Sequence, residues 1–267
     1  MPDGRPAPRN IEIEQQGPVA IVAFNRPDVR NAIDDATRAE FAEVLEWVAR
    51  EEQVRAMVLT GRGKAFCAGG DISSMQKRLE APAGRIAVNG WQRQRRTHHA
   101  VAALHELAKP TIAAVNGAAA GLGCDIALCC DFIVASSQYA SFVMSYVMRG
   151  LIPDGGGLYF LPRRVGLRRA KEMIFSARKV DAAEALEIGL ADQLAEPDKL
   201  IEAAVALATR MTVGSPDAVA LSKSILDQTF ELSAEQVFAL GAQAQAICYT
   251  TDQHRQAVDD FLNKRSK

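Results

Sequence analysis

The stretch GLIPDGGG (150–157) sets one carboxylic acid, Asp154, between a proline and three glycines. Pro153 presets φ for a turn, an aspartate can bond its own backbone there, and glycines supply positive φ. Two roles are open to Asp154: a turn residue only, or a carboxylate that the turn holds over a substrate. Two other stretches suggest a complementary chemistry. AFCAGGDIS (65–73) and NGAAAGLGCDIAL (116–128) each read as a strand, a small-residue turn and a helix start. Such turns leave backbone N–H groups free at a helix N-terminus, where the dipole favours negative charge. Small residues also let a ligand approach the main chain. If the two turns face each other, they supply two donors for a carbonyl oxygen that gains charge. Packing alone is the other reading of both. Neither turn has the spacing of a dinucleotide fingerprint or a phosphate-binding loop.

The elements that must position these residues follow from periodicity. IEIEQQGPVAIVAF (11–24) predicts a hairpin about Gly17-Pro18. Residues 34–52 carry Phe41, Val44, Leu45 and Val48 at helical spacing. Strands are expected at 55–61, 111–117 and 132–136, and a polar helix over 84–108 that contains RQRRTHH (93–99). Strand–loop–helix repetition implies an α/β (α+β) core over residues 1–195. After about residue 195 the strands stop, and four helical segments fill 196–267.

Composition narrows the class. The chain has 267 residues, 48% of them hydrophobic, with 31 Lys+Arg against 32 Asp+Glu. No basic excess favours nucleic acid or an anionic membrane, and no apolar run is long enough to span one. The first ten residues, MPDGRPAPRN, lack the apolar segment of a signal peptide, so a cytoplasmic protein is expected. The five cysteines, at 67, 124, 129, 130 and 248, show no zinc spacing and read as reduced thiols. No metal is expected. The basic RQRRTHH reads as a solvated helix face, with RNA binding as the weaker alternative.

Several segments together resemble the crotonase superfamily, the enoyl-CoA hydratase/isomerase proteins. They are FNRPDVRNAI (24–33), GRGKAFCAGGDIS (61–73), KPTIAAVNGAAAGLGCDIALCCDFIVAS (109–136), GLIPDGGGLYFLPRRVG (150–166) and DAAEALEIGLADQL (181–194). The resemblance implies a spiral of ββα units with a C-terminal helical region, 196–267, that makes trimers or hexamers. It implies an acyl-coenzyme A thioester as ligand, with coenzyme A entering as part of the substrate and no permanently bound cofactor. By position, Gly70 and Leu122 would supply the two oxyanion N–H donors. Coenzyme A contacts would come from Arg30, Ala32, Ala68, Asp71 and Ile72, with Lys264 reaching a phosphate across a subunit interface. For Arg30 and Lys264 the alternative is solvated surface charge, and for Asp71 a helix cap.

Related hydratases activate a water with two glutamates. At those positions this sequence has Asp125 and Tyr146, and an ordinary tyrosine is a poor base at neutral pH. The resemblance therefore points to Asp154 as acid/base, with Asp125 as the rival, and to double-bond isomerisation of an enoyl-CoA ahead of hydration. Hydration through Asp125 and Asp154, thioester or C–C hydrolysis, and non-catalytic acyl-CoA or RNA binding are the alternatives. Trp91, Phe142, Met144, Tyr146 and Met148 are candidates to line the acyl pocket.

Overall fold

The structure is a computed structural model that describes residues 4–265. Strands β1 (Ile11–Gln16) and β2 (Val19–Phe24) form the expected antiparallel hairpin, with Gly17 at φ +56° in the turn. Helix α1 (Asp35–Arg50) starts where Asp34 accepts the Thr37 N–H at 2.8 Å, and it buries the four apolar positions predicted for it. The chain continues through β3 (Ala56–Gly61), β4 (Ala65–Cys67), α2 (Ile72–Leu79), α3 (Ala83–His105), β5 (Thr111–Val115), β6 (Ala118–Ala120) and α4 (Leu122–Cys129). It then forms β7 (Phe132–Ser136), β8 (Ser141–Val143), α5 (Gly157–Val165), α6 (Leu167–Ser176), β9 (Lys179–Asp181), α7 (Ala182–Glu187) and β10 (Gln193–Ala195).

A six-stranded sheet has the order β1-β2-β3-β5-β7-β10, parallel beyond the first hairpin. Both of its faces are covered. This is why VAIVAF and AMVLTG are buried at every position and read as apolar runs rather than alternations. A second sheet has the order β4-β6-β8-β9. In β3–β4, β5–β6 and β7–β8, one strand joins the large sheet and the next joins the small one before a helix returns the chain. This is the ββα winding that the sequence resemblance implies.

Four helices end the described chain: α8 (Leu200–Met211), α9 (Pro216–Leu226), α10 (Ala234–Tyr249) and α11 (Asp252–Arg265). Residues 266 and 267, the end of the last predicted helical segment, lie outside the described residues. Helix α8 lays Leu200, Ala204, Leu207 and Ala208 against Val19, Ile21, Val58, Ile112 and Val134 of the large sheet. Helix α9 is tied down by Lys223, whose Nζ lies 2.8 Å from Asp131 Oδ2. The same carboxylate accepts the Thr111 N–H at 2.7 Å, so Asp131 joins a strand, a helix end and the tail. Helix α10 opens with a capping box at Ser233 and Gln236, yet it buries no residue within the chain.

Candidate active site

Three loops meet at one end of the sheets. The loop after β2 is folded by Asn31, which is buried at φ +58°. Its Nδ2 donates to the carbonyls of Arg62 and Ala65 at 2.9 and 2.8 Å, and its Oδ1 accepts the Arg26 N–H at 2.9 Å. This loop then pairs with the turn after β4. The Ala68 N–H donates to Arg30 O at 2.9 Å, Ile33 N–H to Gly69 O at 2.8 Å, and Asp71 N–H to Ile33 O at 3.0 Å. Arg30, Ala32, Ala68, Asp71 and Ile72 are thereby gathered in one loop cluster, with Arg30, Ala68 and Ile72 exposed. The Asp71 carboxylate is already engaged. It accepts the Ser73 N–H at 2.9 Å and hydroxyl at 2.6 Å and faces Arg26 at 3.5 Å. The Ser73 hydrogen bond holds its carboxyl below the usual carboxylate range. Lys264 is exposed near the end of α11, a helix that packs on α10.

The two glycine turns touch. Gly69 has φ +93°, and a Cβ there would lie 2.6 Å from the Ala120 carbonyl and 3.3 Å from the Leu122 nitrogen. At Gly123 a Cβ would lie 2.2 Å from the Cys67 carbonyl, so α4 packs its first turn directly on the end of β4. Gly70 and Leu122 line one pocket of about 240 Å³. Among the described residues, neither of their N–H groups donates to a protein acceptor. Leu122 is also the first residue of α4, so the positive end of that helix is at the pocket.

The two acids stand in different environments. Asp154 lines the pocket with its side chain 26% exposed, and its Oδ2 is 3.7 Å from His98 Nε2. Its own N–H turns back to Ile152 O at 2.8 Å, so the turn reading holds for the backbone while the carboxylate is at the pocket. Asp125 is 0% exposed. Its Oδ2 accepts the Tyr146 hydroxyl at 2.5 Å, among the described residues no side chain reaches its Oδ1, and the backbone N–H groups of Gly155 and Gly157 face the carboxylate. Gly155 and Gly157 close over it: a Cβ would lie 2.7 Å from Oδ2 at the first and 2.4 Å from Oδ1 at the second. Of the three consecutive glycines 155–157, only Gly156 has positive φ, at +111°. The outer two are small because Asp125 lies against them.

Burial pushes the Asp125 carboxyl up to about 7; the Tyr146 hydrogen bond opposes the rise and the charge of Asp154 adds to it. A carboxyl that is raised on folding keeps a proton the unfolded chain has lost. Its contribution is therefore greatest below about pH 4 and is lost as pH rises towards 7. Denaturant unfolding of wild type and Asp125→Asn at pH 5 and pH 8 checks this. The wild type should lose stability relative to the variant across that interval, at up to about 1.4 kcal/mol per pH unit in its lower part. A pH-independent difference between the two would refute the assignment.

Comparison with known proteins decides the family. Residues 14–267 match the sequence profile of the enoyl-CoA hydratase/isomerase family. The chain belongs to that family. A short-chain-enoyl-CoA hydratase of Clostridium acetobutylicum is 37% identical over 96% of this chain and 95% of its own. A 1,2-epoxyphenylacetyl-CoA isomerase of Escherichia coli is 33% identical over 93% of each. The crystal structure of an enoyl-CoA hydratase/isomerase from Cupriavidus metallidurans superposes with a TM-score of 0.88 at 34% identity, covering 97% of this chain and 95% of that one. The protein is accordingly a crotonase-type enzyme, and its spiral of ββα units is the family's fold.

Within this family member, α3 forms a wall of the pocket that the sequence reading did not assign. Arg93, Gln94 and Thr97 line it, together with Met75 from α2, and His98 reaches Asp154. The signal was present, since 93/97 and 94/98 are pairs four apart and share helix faces. Of the five side chains considered for the acyl pocket, Tyr146 lines it, Phe142 and Met144 are core, and Trp91 and Met148 are exposed. Cys67, Cys124, Cys129 and Cys130 are buried free thiols, with Cys67 and Cys130 pushed up to about 12 by burial. Among the described residues no His/Cys/Asp/Glu group could hold a metal, and no helix is long and apolar enough to cross a membrane.

Proposed function

We propose that this family member moves the double bond of a short enoyl-CoA, with Asp154 as the single acid/base. The observation that carries this reading is the division of labour between the two acids. Asp154 lines the same pocket as Gly70 and Leu122, whereas Asp125 is sealed behind Gly155 and Gly157 and engaged by Tyr146. The thioester oxygen accepts the Gly70 and Leu122 N–H groups, and the α4 dipole favours the charge that develops there. Asp154 removes a proton from the carbon α to the thioester of a 3-enoyl-CoA, and the C–H electron pair is delocalised into a dienolate. The protonated Asp154 then returns the proton to the γ-carbon, giving the 2-enoyl-CoA and restoring the carboxylate. No water enters the balance. The pocket volume of about 240 Å³ suits a short acyl group.

Hydration is the reading that the names of several relatives favour. It calls for a second acid at the water, and Asp125 has no exposed surface from which to act. Thioester absorbance and product chromatography on 2-enoyl-CoA and 3-enoyl-CoA separate the two readings, and release of free thiol would indicate hydrolysis instead.

Coenzyme A, in this reading, is held as part of the substrate by the loop cluster of Arg30, Ala32, Ala68, Asp71 and Ile72. The pairing of that cluster with the first oxyanion turn supports this placement. Lys264 serves a neighbouring subunit. The helical region after residue 195 assembles the protein as a homotrimer or a dimer of trimers. Support comes from α9–α11, where Leu226, Phe230, Phe238 and Tyr249 are exposed and Phe238 is 75% accessible in the single chain. Light scattering should report three or six chains for wild type and a shift to smaller species for Phe238→Asp. A monomeric wild type would remove this part of the proposal.

A further inference from the structure

The basic segment RQRRTHH divides between two sides of α3. Arg93, Gln94 and Thr97 line the catalytic pocket. Arg95, Arg96 and His99 instead line a separate groove of about 520 Å³ between α3 and α1, together with Gln92 and, from α1, Asp35 and Arg38. Positions 92, 95, 96 and 99 are at i, i+3, i+4 and i+7, which puts them on one helical stripe.

Arg38 is the unusual member. It is only 4% exposed. Its Nη1 donates to Asp35 Oδ1 at 2.5 Å, but its Nε and Nη2 are buried with no hydrogen-bond partner. Nε–H and one Nη–H form the guanidinium edge that grips two oxygens of an oxyanion at once. Leaving such donors unmade in a buried position is unfavourable. Charge balance points the same way. Three arginines line the groove against one carboxylate, Asp35, which also faces Arg93 at 3.9 Å. Arg95 finds some compensation in the Trp91 ring, 5.2 Å away.

We propose that the α1–α3 groove binds a phosphate-type oxyanion at a site separate from the acyl-CoA pocket. A tetrahedral dianion offers enough acceptor oxygens for Arg95 and Arg96 and for the Nε–Nη2 edge of Arg38, which is buried in the unliganded groove and turns outward on binding. The basic stripe from 92 to 99 spans only about 10 Å of helix, which fits one phosphate group rather than a nucleic-acid strand. The phosphate is either free or carried on a small phosphomonoester.

The test is calorimetric titration of the intact protein with inorganic phosphate at constant ionic strength, with and without saturating coenzyme A. A parallel arm uses adenosine monophosphate with coenzyme A present: tighter binding than phosphate identifies a phosphomonoester as ligand, and equal or weaker binding identifies free phosphate. One phosphate per chain is expected, retained when coenzyme A is present. Arg38→Met and Arg96→Gln should each weaken it at least tenfold and leave coenzyme A affinity unchanged. Arg96 is exposed, so its variant remains informative if Arg38→Met fails to fold. The proposal is overturned if phosphate binding is not saturable, if Arg96→Gln and a folded Arg38→Met bind it like wild type, or if coenzyme A abolishes it in the wild type.

Discussion

Asp154→Asn is expected to lower kcat by about 10²–10⁴-fold, the usual contribution of a positioned general acid/base. Acyl-CoA affinity should stay within a few-fold, because the loop cluster and the oxyanion turns do not depend on this side chain. The variant keeps the backbone bond from the residue 154 N–H to Ile152 O, so the turn should survive. Far-UV circular dichroism and thermal midpoint provide the control. The rival assignment makes an opposite forecast: Asp125→Asn would abolish turnover while Asp154→Asn left it nearly intact. On the present account Asp125→Asn alters chiefly the pH dependence of stability. Its effect on rate comes only through the packing of Gly155, Gly157 and Tyr146 around it.

Gly69→Ala is expected to be a severely damaging single-methyl change for catalysis. The residue sits at φ +93°, where a side chain is strained, and the new Cβ would meet the Ala120 carbonyl at 2.6 Å. The strain can relax only by parting the two turns, which moves the Gly70 and Leu122 N–H groups off a common oxygen. Loss of one oxyanion donor costs about 10²–10³ in rate, so kcat should fall by at least that much. Stability should fall as well, by roughly 1–3 kcal/mol for a residue forced into a sparsely populated conformation. Gly90→Ala is the matched control, because a Cβ there meets nothing within 4 Å. Near-wild-type turnover in Gly69→Ala would show that the contact between the turns does not set the donors.

Much of this was legible in the sequence where periodicity is long. The α1 stripe of Phe41, Val44, Leu45 and Val48, the hairpin at Gly17 and the buried runs of β2, β3, β5 and β7 all stand where the pattern puts them. The second sheet as a sheet was not legible, although the strand that opens AFCAGGDIS is its β4. Its strands, β4, β6, β8 and β9, are three residues each, too short for alternation to register. The glycine turns were readable as candidate N–H donors, but their mutual contact depends on residues 69 and 120–123 meeting in space. The two acids were legible by type and not by environment. Nothing in GLGCD announces that Asp125 is fully buried, or that Tyr146, twenty-one residues on, supplies its hydroxyl. RQRRTHH read as one solvated face, whereas α3 presents it to two different cavities.

In the proposed mechanism one pocket carboxylate shuttles a proton over an enolate and adds no water. The most direct measurement supplies a short 3-enoyl-CoA and, separately, the 2-enoyl-CoA, and follows the products by chromatography and mass. Interconversion of the two enoyl-CoA isomers is expected, with no product heavier by one water. Conversion of 2-enoyl-CoA to a β-hydroxyacyl-CoA, with the 3-enoyl-CoA left unchanged, would contradict it.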